Sequence, residues 1–335
     1  MQVLRLHDRR DVRLADEPAP VPGPGEELVR VTTVGICGSD LHWFEEGSVG
    51  SERLAGPLVL GHEAAGVVAS GPRAGRRVAI EPAIACGRCD PCLRGRPHVC
   101  EDLRFAGVSG EDGTLREAMA WPAACLVGVP DEIDDLAAMM LEPLGIAIHA
   151  TDLGRPPIGG TVGVFGCGPI GLLLIQLARL AGVRAIVATD LLEHRLEAAL
   201  RYGATEVALV DGGAERSALA GVAPDGLDVT FEVAGEDDAL ETAMHLARPT
   251  SRVVIVGIPV SDRTSFPAGL ARRKGLSLLL SRRMNRTYPR AIDLVRSGRV
   301  DVRSLVTGRF PLSEAADAFE TAARRTGLKI AVDVS

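Results

Sequence analysis

Hydrophobic and polar residues alternate in short runs along the first part of the chain. The alternation is clearest at Val3 to Arg5, Val12 to Leu14 and Glu27 to Val34, and shorter runs follow at Ala64 to Ala69 and Arg77 to Ile80. A period of two residues is typical of half-buried strands, and glycine or proline bounds the later runs. This pattern predicts a small, barrel-like β domain.

The pattern changes near residue 145, where strand-like runs begin to alternate with helical ones. The predicted strands are Val162 to Phe165, Arg184 to Thr189, Leu227 to Val233 and Arg252 to Val256, and the predicted helices are Leu172 to Ala181, Glu193 to Tyr202 and Asp237 to Ala247. This alternation predicts the α/β class with a doubly wound parallel sheet.

Two later elements, a helix at Ser313 to Arg325 and a strand at Lys329 to Val334, are expected to return to the first domain. A chain of 335 residues is long enough for about two domains. We therefore predict one domain from residues 1–144, completed by residues 288–335, and a second domain from residues 145–287.

A glycine-rich turn, Gly166-Cys-Gly168-Pro-Ile-Gly171, joins the first strand and helix of the second domain. It follows the G-x-G-x-x-G pattern of dinucleotide-binding folds. Gly166 permits the turn, Gly168 lets backbone N–H groups approach a pyrophosphate, and Gly171 allows close packing of helix on strand. A turn without a ligand is the alternative for the bare pattern, but the flanking strand and helix favour a dinucleotide site.

Asp190 ends the second predicted strand of this domain, nineteen residues after Gly171. A carboxylate at this point accepts hydrogen bonds from the adenosine ribose hydroxyls and repels a 2′-phosphate. The sequence therefore predicts NAD rather than NADP as cofactor. Capping of the following helix is the alternative role for Asp190.

Composition excludes several classes of function. The net charge of −7 and the pI of about 5.6 provide no basic surface for nucleic acid. No apolar run approaches the ~18 residues of a membrane span, and Met1 to Arg13 has no apolar signal-peptide core. We expect a cytoplasmic protein with no membrane or nucleic-acid partner. Its seven cysteines should be reduced thiols, which favours metal binding over disulfides.

Four of these cysteines, Cys86, Cys89, Cys92 and Cys100, are spaced C-x2-C-x2-C-x7-C. Thiolates at this spacing can surround one Zn²⁺ ion. Iron–sulfur ligation is the alternative, but those runs carry proline after the fourth cysteine and here Glu101 follows. Because all four positions are protein ligands, this zinc is predicted to be structural.

Two further turns of the first domain carry zinc-type ligands. They read Gly35-Ile-Cys37-Gly-Ser39-Asp40-Leu-His42 and Gly61-His62-Glu63-Ala-Ala-Gly66. Three protein ligands with an open fourth position are typical of catalytic zinc. Each turn alone is a weak signal, because a buried cysteine is commonly a small core residue and a His-Glu pair is commonly surface polarity.

Together, the two turns, the four cysteines and the Gly-Cys-Gly-Pro-Ile-Gly loop resemble the zinc-dependent medium-chain dehydrogenase/reductase family over essentially the whole chain. The segments CGSDLHWFEEGSVG, LVLGHEAAG and LEPLGIAIHA are most similar to its polyol branch. The resemblance implies a GroES-like β-barrel catalytic domain and a Rossmann cofactor domain. It also implies two zinc ions per chain and a homodimer or homotetramer.

The resemblance assigns a catalytic zinc to Cys37, His62 and Glu63, with Glu142 reaching the metal directly or through its water. Whether Glu63 or Glu142 is the third ligand stays open at this point. In this family, zinc stabilises the substrate alkoxide while a hydride leaves for the nicotinamide. Ser39 and His42 resemble the relay that carries the proton to solvent, with a surface histidine as the alternative for His42.

Other site residues follow from the same resemblance. Trp43 is expected to line the substrate pocket, with a core aromatic residue as the alternative. Arg283 aligns with an arginine that meets polyol hydroxyls, although Leu280-Ser-Arg-Arg-Met284 departs from the usual family sequence there. Cofactor contacts are expected from Pro169 and Ile170 in the glycine loop, and from Val256, Gly257 and Ile258 near the nicotinamide. Arg195 is expected over the adenine, with a solvated helix residue as the alternative.

These observations predict NAD-dependent oxidation of a secondary alcohol of a polyol or sugar acid to a ketone. A dehydrogenase of the same family for another alcohol, of the threonine or cyclitol type, is one alternative. The other is a nucleotide-binding protein on this scaffold that has lost its chemistry. Such a loss would show as a missing Cys37, His62 or Glu63, and all three are present.

Overall fold

The computed structural model describes residues 1–108 and 110–334. The chain forms two compact units, one from Met1–Pro143 with Tyr288–Ser335 and the other from Leu144–Thr287. The first is called the barrel unit below and the second the nucleotide unit.

The strands of the described residues are numbered in chain order. They are β1 Gln2–Asp8, β2 Asp11–Asp16, β3 Glu26–Gly35, β4 Ser48–Val49, β5 Glu52–Arg53, β6 Leu58–Val59, β7 Glu63–Val68, β8 Arg77–Ile80, β9 Ala83–Ile84, β10 Arg104–Phe105, β11 Ala118–Pro122, β12 Leu126–Gly128, β13 Thr161–Phe165, β14 Ala185–Asp190, β15 Glu206–Leu209, β16 Leu227–Glu232, β17 Ala247–Ile255, β18 Ser277–Leu280, β19 Val306–Pro311 and β20 Lys329–Asp333.

The α-helices are α1 Gly38–Glu46, α2 Asp90–Leu93, α3 Asp135–Met139, α4 Leu141–Gly154, α5 Pro169–Leu180, α6 Glu193–Tyr202, α7 Ala214–Ala220, α8 Asp237–Leu246, α9 Ala268–Lys274, α10 Tyr288–Arg296 and α11 Ala315–Ala323. Short 3₁₀ helices lie at Pro97–Val99, Ala123–Cys125, Arg303–Leu305 and Leu312–Glu314.

The main sheet of the barrel unit has the strand order β12-β8-β7-β3-β20-β19, with β11 also paired to β3. Strand β3 is its centre, since it pairs antiparallel with β7, β11 and β20. Its side chains Val29, Val31 and Val34 are fully buried. The alternating strands predicted from sequence therefore form a GroES-like β domain, and a strand from the end of the described chain completes it.

The nucleotide unit contains a six-stranded sheet in the order β15-β14-β13-β16-β17-β18. Every neighbouring pair in it is parallel. The strand order reverses between β13 and β16, and ligands of such sheets bind outside the carboxyl ends of the strands at this switch point. The predicted α/β class and doubly wound sheet are confirmed.

The ends of most predicted elements lie within a few residues of the observed ends. Helix α6 has the predicted bounds and ends at Gly203, whose φ of 117° is left-handed. Helix α5 begins three residues before the predicted start, at Pro169, because proline suits the first turn of a helix. The single helix predicted at Ser313 to Arg325 is a 3₁₀ turn at Leu312–Glu314 followed by α11 at Ala315–Ala323.

One helical stretch, Asp135–Gly154, is long and apolar enough to cross a membrane by length and composition. However, 72% of its most apolar window is buried inside the protein. Core helices pass the same test, so this stretch is explained by packing.

Candidate active site

Cys37, His62 and Glu63 converge in the barrel unit. Cys37 follows β3 and precedes α1, while Glu63 begins β7 directly opposite Gly35 of β3. Gly61, with a φ of 90°, forms the turn that presents His62. One ligand atom from each of Cys37, His62 and Glu63 lies within 4.8 Å of the other two. This is a thiolate, imidazole and carboxylate set of the kind that binds zinc.

Asp40 connects the two turns that carry these ligands. Its buried carboxylate accepts hydrogen bonds from the Cys37 N–H at 2.9 Å and the Gly61 N–H at 3.1 Å. It also lies 3.5 Å from Nδ1 of His62. Burial opposes ionisation of Asp40, but the nearby His62 and these N–H groups keep the pKa of Asp40 below its usual value. The Asp40 contact leaves Nε2 of His62 for a metal ion.

His62 is buried, and its pKa is well above the usual value. Burial lowers this pKa, but the negative charges of Asp40 and Cys37 outweigh burial. The arrangement therefore favours a positive charge at the imidazole position when no metal is bound.

Lys329 of β20 is a site residue that the sequence patterns did not predict. It is 3% exposed and forms an ion pair with Glu63, which is 1% exposed. Its Nζ also donates a hydrogen bond to the Ile36 carbonyl at 2.9 Å. Burial would lower the pKa of Lys329, but the charges of Glu63 and Cys37 raise it. Lys329 therefore stays charged and holds one carboxylate of the site.

Glu142, in the first turn of α4, is also buried, and its pKa is raised to about 8. Burial is the main cause, and the charges of Glu63 and Glu81 add to it. Glu142 does not belong to the set of ligand atoms within 4.8 Å that Cys37, His62 and Glu63 form. Among the described residues, Glu63 rather than Glu142 thus lies with the other two donors.

A divalent cation fits this donor set. Cys37 and Glu63 lie within 4.8 Å of His62, and the buried Asp40 contacts the other side of that imidazole. Lys329 pairs with Glu63, and the charge of Glu63 also acts on Glu142. Negative charge raises the pKa of His62, and burial is the main cause of the raised pKa of Glu142. A metal ion would supply the missing positive charge and the solvation that water cannot.

Ser39 and His42 lie three residues apart on α1, so they occupy the same face of the helix. Both are half-buried, between the core and solvent. Trp43 is 1% exposed and packs in the hydrophobic core of the barrel unit. The core alternative thus describes where Trp43 lies, and its contact with substrate stays a prediction.

The four cysteines of the second predicted zinc site also come together. Their Sγ atoms lie within 4.8 Å of one another, and the Cys89 and Cys100 Sγ atoms are 3.8 Å apart. A tetrahedron with Zn–S bonds of ~2.3 Å has edges of ~3.8 Å. The Cys89 N–H donates to Cys86 Sγ, and N–H groups of Arg88 and Cys89 lower the pKa of Cys86 to about 7. Burial and the neighbouring thiol of Cys89 raise the pKa of Cys92 to about 12, so a bound cation would be needed to hold all four cysteines as thiolates.

The glycine loop of the nucleotide unit has the geometry that its pattern predicts. Gly166 has a φ of 109° and leads from β13 into the turn. A Cβ added at Gly171 would collide with the Gly166 carbonyl, whereas one added at Gly168 would meet no atom closer than 3.9 Å. Pro169 and Ile170 open α5, whose first N–H groups lie at the carboxyl end of the sheet.

Asp190 lies at the end of β14 and is 7% exposed. Its carboxylate accepts hydrogen bonds from the Cys167 N–H at 2.8 Å and the Leu192 N–H at 3.0 Å, and Arg195 lies 3.8 Å away. Helix α6 is preceded by Leu192 at its N-cap, with no side-chain cap. Asp190 therefore supports the glycine loop and is not the cap of α6.

Val256, Gly257 and Ile258 follow β17 at the same edge of the sheet, and Ile258 is 48% exposed. Arg283 follows β18, is half-buried and has a left-handed φ of 54°. Such a backbone conformation is uncommon for arginine, and it is more frequent at functional sites than elsewhere.

Comparison with known proteins agrees with this description. The family model "Alcohol dehydrogenase GroES-like domain" matches residues 23–131, and "Zinc-binding dehydrogenase" matches residues 169–297. Sorbitol dehydrogenase of Bacillus subtilis is 32% identical over 96% of this chain and 93% of its own length. The protein named probable D-xylulose reductase A of Arthroderma otae is 37% identical over 97% of this chain and 94% of its own length.

Solved structures show the same likeness. L-idonate 5-dehydrogenase from Escherichia coli superposes with a TM-score of 0.91 at 28% identity, covering 99% of this chain and 98% of that one. Two other structures hold cofactors: a chain from E. coli CFT073 with NADH (TM-score 0.91, 29% identity, 100% and 99% covered) and one from Sinorhizobium meliloti 1021 with NADP (TM-score 0.89, 30% identity, 99% and 99% covered).

The relatives thus match both units over nearly the whole chain, and the matched models are those of zinc-binding alcohol dehydrogenases. The chain is an oxidoreductase of the zinc-dependent medium-chain dehydrogenase/reductase family and belongs to its polyol branch.

Proposed function

We propose that this protein oxidises a secondary alcohol of a polyol or sugar acid to a ketone, with NAD as hydride acceptor. The observation that carries the proposal is the convergence of Cys37, His62 and Glu63 within 4.8 Å in a buried, acidic site. Similarity to sorbitol dehydrogenase and L-idonate 5-dehydrogenase supports the substrate class. The barrel unit would be the catalytic domain and the nucleotide unit the NAD-binding domain.

In this proposal, the chain holds the catalytic zinc through Cys37, His62 and Glu63, and the structural zinc through the four clustered cysteines. When bound, zinc would supply a Lewis acid for the substrate hydroxyl, and NAD would supply the hydride acceptor. Asp40, 3.5 Å from Nδ1 of His62, would orient the ring so that Nε2 is available to the metal. Glu142 is an acid beside this position that can bind substrate or water.

The proton of the alcohol would leave through Ser39 and then His42. A hydroxyl can accept one proton while it donates its own, and a histidine with an ordinary pKa of ~6.5 exchanges protons with water near neutral pH. The half-buried positions of Ser39 and His42 on one face of α1 suit a path from the interior to solvent. Trp43 and Arg283 are the proposed further substrate contacts.

NAD is proposed over NADP because of Asp190. Its buried carboxylate at the end of β14 would oppose the negative charge of a 2′-phosphate. We propose that Gly166, Gly168, Pro169, Ile170 and Gly171 bind the pyrophosphate. Arg195 would lie over the adenine, and Val256, Gly257 and Ile258 would face the nicotinamide.

We also propose a cytoplasmic homodimer or homotetramer. All seven cysteines are free thiols, as in reducing compartments. Strand β18 is an edge of the six-stranded sheet, and Leu280 at its end is 77% exposed. An unpaired edge with exposed apolar side chains suits pairing with a second copy.

Metal analysis together with an NAD⁺ reduction screen over polyols, aldonates and amino alcohols tests the proposal. We expect two zinc ions per chain, NADH formation with a polyol or aldonate, and NADPH formation at least ~10-fold slower with NADP⁺. Reaction with amino alcohols alone would reassign the substrate class. Protein without zinc and without turnover of any alcohol would refute the proposal.

A matched pair of variants tests the catalytic ligands. Cys37→Ala should remove one zinc ion and nearly all activity, whereas Cys125→Ala, at a half-buried thiol outside both clusters, should keep two zinc ions and full activity. An active Cys37→Ala protein would contradict the assignment of the catalytic metal.

A further inference from the structure

Glu232 is a buried carboxylate at the switch point of the nucleotide unit, and the proposed chemistry does not use it. It is the last residue of β16 and is 2% exposed. Its Oε1 accepts hydrogen bonds from the Ala234 N–H at 2.7 Å and the Gly235 N–H at 2.6 Å. The side chain therefore folds back onto the loop that directly follows its own strand.

These two N–H groups form an anion-binding concavity. Successive backbone N–H groups that point to one centre make such a nest, and a left-handed residue commonly forms part of it. Gly235 is left-handed, with a φ of 77°. In this chain the acceptor is the Glu232 carboxyl group itself, so the loop at residues 233–235 is held by a side chain of the preceding strand.

The backbone of Glu232 joins this loop to the next one. Its carbonyl accepts hydrogen bonds from the Val256 N–H at 2.8 Å and the Gly257 N–H at 3.2 Å, just after β17. The contact is close, because a Cβ added at Gly257 would lie 2.6 Å from Gly235 Cα and 2.8 Å from Glu232 Oε2. Glu232 thus sets the distance between the loop at 233–235 and the segment at 256–258.

The other side of the same loop packs against the glycine loop. The Val233 N–H donates to the Phe165 carbonyl at 2.8 Å. A Cβ added at Gly166 would lie 2.9 Å from Ala234 N and 3.0 Å from Val233 C. Three backbone segments therefore meet without intervening side chains, and the middle one is anchored by Glu232.

A purely structural role is the simpler explanation, but an ionised carboxylate is a costly way to satisfy two N–H groups. Burial raises the pKa of Glu232, although four backbone N–H groups, those of Gly235, Ala234, Glu236 and Gly257, lower it in opposition. Water or a neutral side chain could accept the same hydrogen bonds with less desolvation. A fixed loop position is what the carboxylate adds.

We propose that Glu232 is a positioning residue for the nicotinamide half of NAD. Its carboxylate fixes the loop at 233–235 between the pyrophosphate loop and the segment at 256–258, and so fixes the surface that receives the nicotinamide. The inference rests on the proposed function, in which the nucleotide unit binds NAD. It predicts that Glu232 affects binding of the nicotinamide half more than binding of the adenosine half.

The test compares NADH with ADP-ribose, which lacks nicotinamide, as ligands of the full-length protein. Glu232→Asp keeps the charge but withdraws the carboxylate by one methylene, and Glu232→Gln keeps the length and an acceptor oxygen. We expect Glu232→Asp to weaken the binding of NADH at least ~10-fold and that of ADP-ribose less than ~3-fold. The effect of Glu232→Gln on NADH binding should be smaller. Glu206→Asp, on the edge strand β15, is the control and should change neither.

The ratio of the two dissociation constants separates positioning from loss of fold, because unfolded protein lowers the binding of both ligands equally. Equal weakening of NADH and ADP-ribose, or no change in either, would overturn the inference. Wild-type protein that binds neither ligand would overturn the proposed function and the inference with it. Wild-type protein that binds both, together with an unchanged ratio in Glu232→Asp, would overturn the inference alone.

Anion rescue supplies a second measurement. Glu232→Ala leaves the Ala234 and Gly235 N–H groups without their acceptor, and formate can occupy the space of the missing carboxylate. We expect formate, but not equal ionic strength of chloride, to recover NADH affinity at least ~3-fold in Glu232→Ala and to leave wild type unchanged. Absence of recovery with formate in a folded Glu232→Ala protein would contradict the proposed anchor.

Discussion

Lys329 and Glu63 form an ion pair that passes over Gly35. Gly35 of β3 lies opposite Ala331 of β20 on one side and opposite Glu63 of β7 on the other. A Cβ added at Gly35 would collide with Glu63 Oε2 and would reach within 3.0 Å of Lys329 Cε. The glycine before the Cys37 turn thus provides the space in which the pair forms.

Lys329→Met should destabilise the protein by about 3–5 kcal/mol, because it leaves the Glu63 carboxylate buried without its cation. The free energy of unfolding from urea denaturation of metal-free protein measures this effect. Lys329→Arg keeps the positive charge and should therefore lose less stability than Lys329→Met. In a double-mutant cycle, the protein with both Glu63→Gln and Lys329→Met should lose less stability than the sum of the losses in the two single variants. Additive losses would mean that the two side chains do not interact.

Cys100→Ser should remove the structural zinc and loosen the segment at 86–100, since a structural zinc contributes to local folding. Metal analysis should find one zinc ion fewer per chain, and limited proteolysis should cut within this segment. NADH binding should remain, because the nucleotide unit has its own core. Cys125→Ser is the matched control. An unchanged zinc content in Cys100→Ser would argue against the four-cysteine site.

Gly166→Ala should cost more stability than Gly213→Ala, although both residues have a similar positive φ, of 109° and 100°. A Cβ at Gly213 meets no atom within 4 Å, whereas one at Gly166 presses on Ala234 N and Val233 C. Backbone strain of about 1 kcal/mol or more is common to both variants. Overpacking should add at least ~1 kcal/mol in Gly166→Ala and weaken NADH binding. Chemical denaturation and NADH titration measure the two effects, and equal losses in both variants would contradict the packing argument.

Glu232 should make stability depend on pH. Its pKa in the folded protein is raised, mainly by burial. A carboxyl group whose folded pKa exceeds its unfolded value of ~4.3 contributes stability that is present below that value and is lost as the pH rises through the folded pKa. Relative to Glu232→Gln, wild type should therefore gain stability as the pH falls from 7 to 4. Denaturation of both proteins across this range measures the difference, in which all shared titrations cancel. If the stability difference between wild type and Glu232→Gln stays constant or falls as the pH is lowered, burial does not raise the pKa of Glu232.

The fold could be predicted in outline because its signals are local. The period of two residues in β3, the glycines around Cys167 and the strand–helix alternation after residue 145 each depend on neighbours in sequence. Most observed element ends differ from the predicted ends by one to three residues, because capping and 3₁₀ turns decide the boundary. The spacing of the four cysteines is local in the same way.

Lys329 and Glu232 could not be predicted in this way, because their partners are chosen by tertiary packing. Lys329 begins a strand of apolar residues, and a lysine at a strand end is normally solvated. Its partner Glu63 is 266 residues away in sequence. Glu232 resembles an ordinary polar residue after an apolar strand, and its N–H partners become evident only when the loop is folded. Lysine is otherwise present only at Lys274, and that rarity was the one available signal for Lys329.

The pairing of β20 with β3 has a consequence for synthesis of the protein. The ribosome completes Cys37, His62 and Glu63 early, but Lys329 follows Glu63 by 266 residues, which takes about 13–50 s at ~5–20 residues per second. The four clustered cysteines, by contrast, span only residues 86–100. The nascent chain therefore carries all four cysteines of the proposed structural zinc site soon after residue 100, whereas the proposed catalytic ligand Glu63 obtains its counter-ion only after 266 further residues have been made.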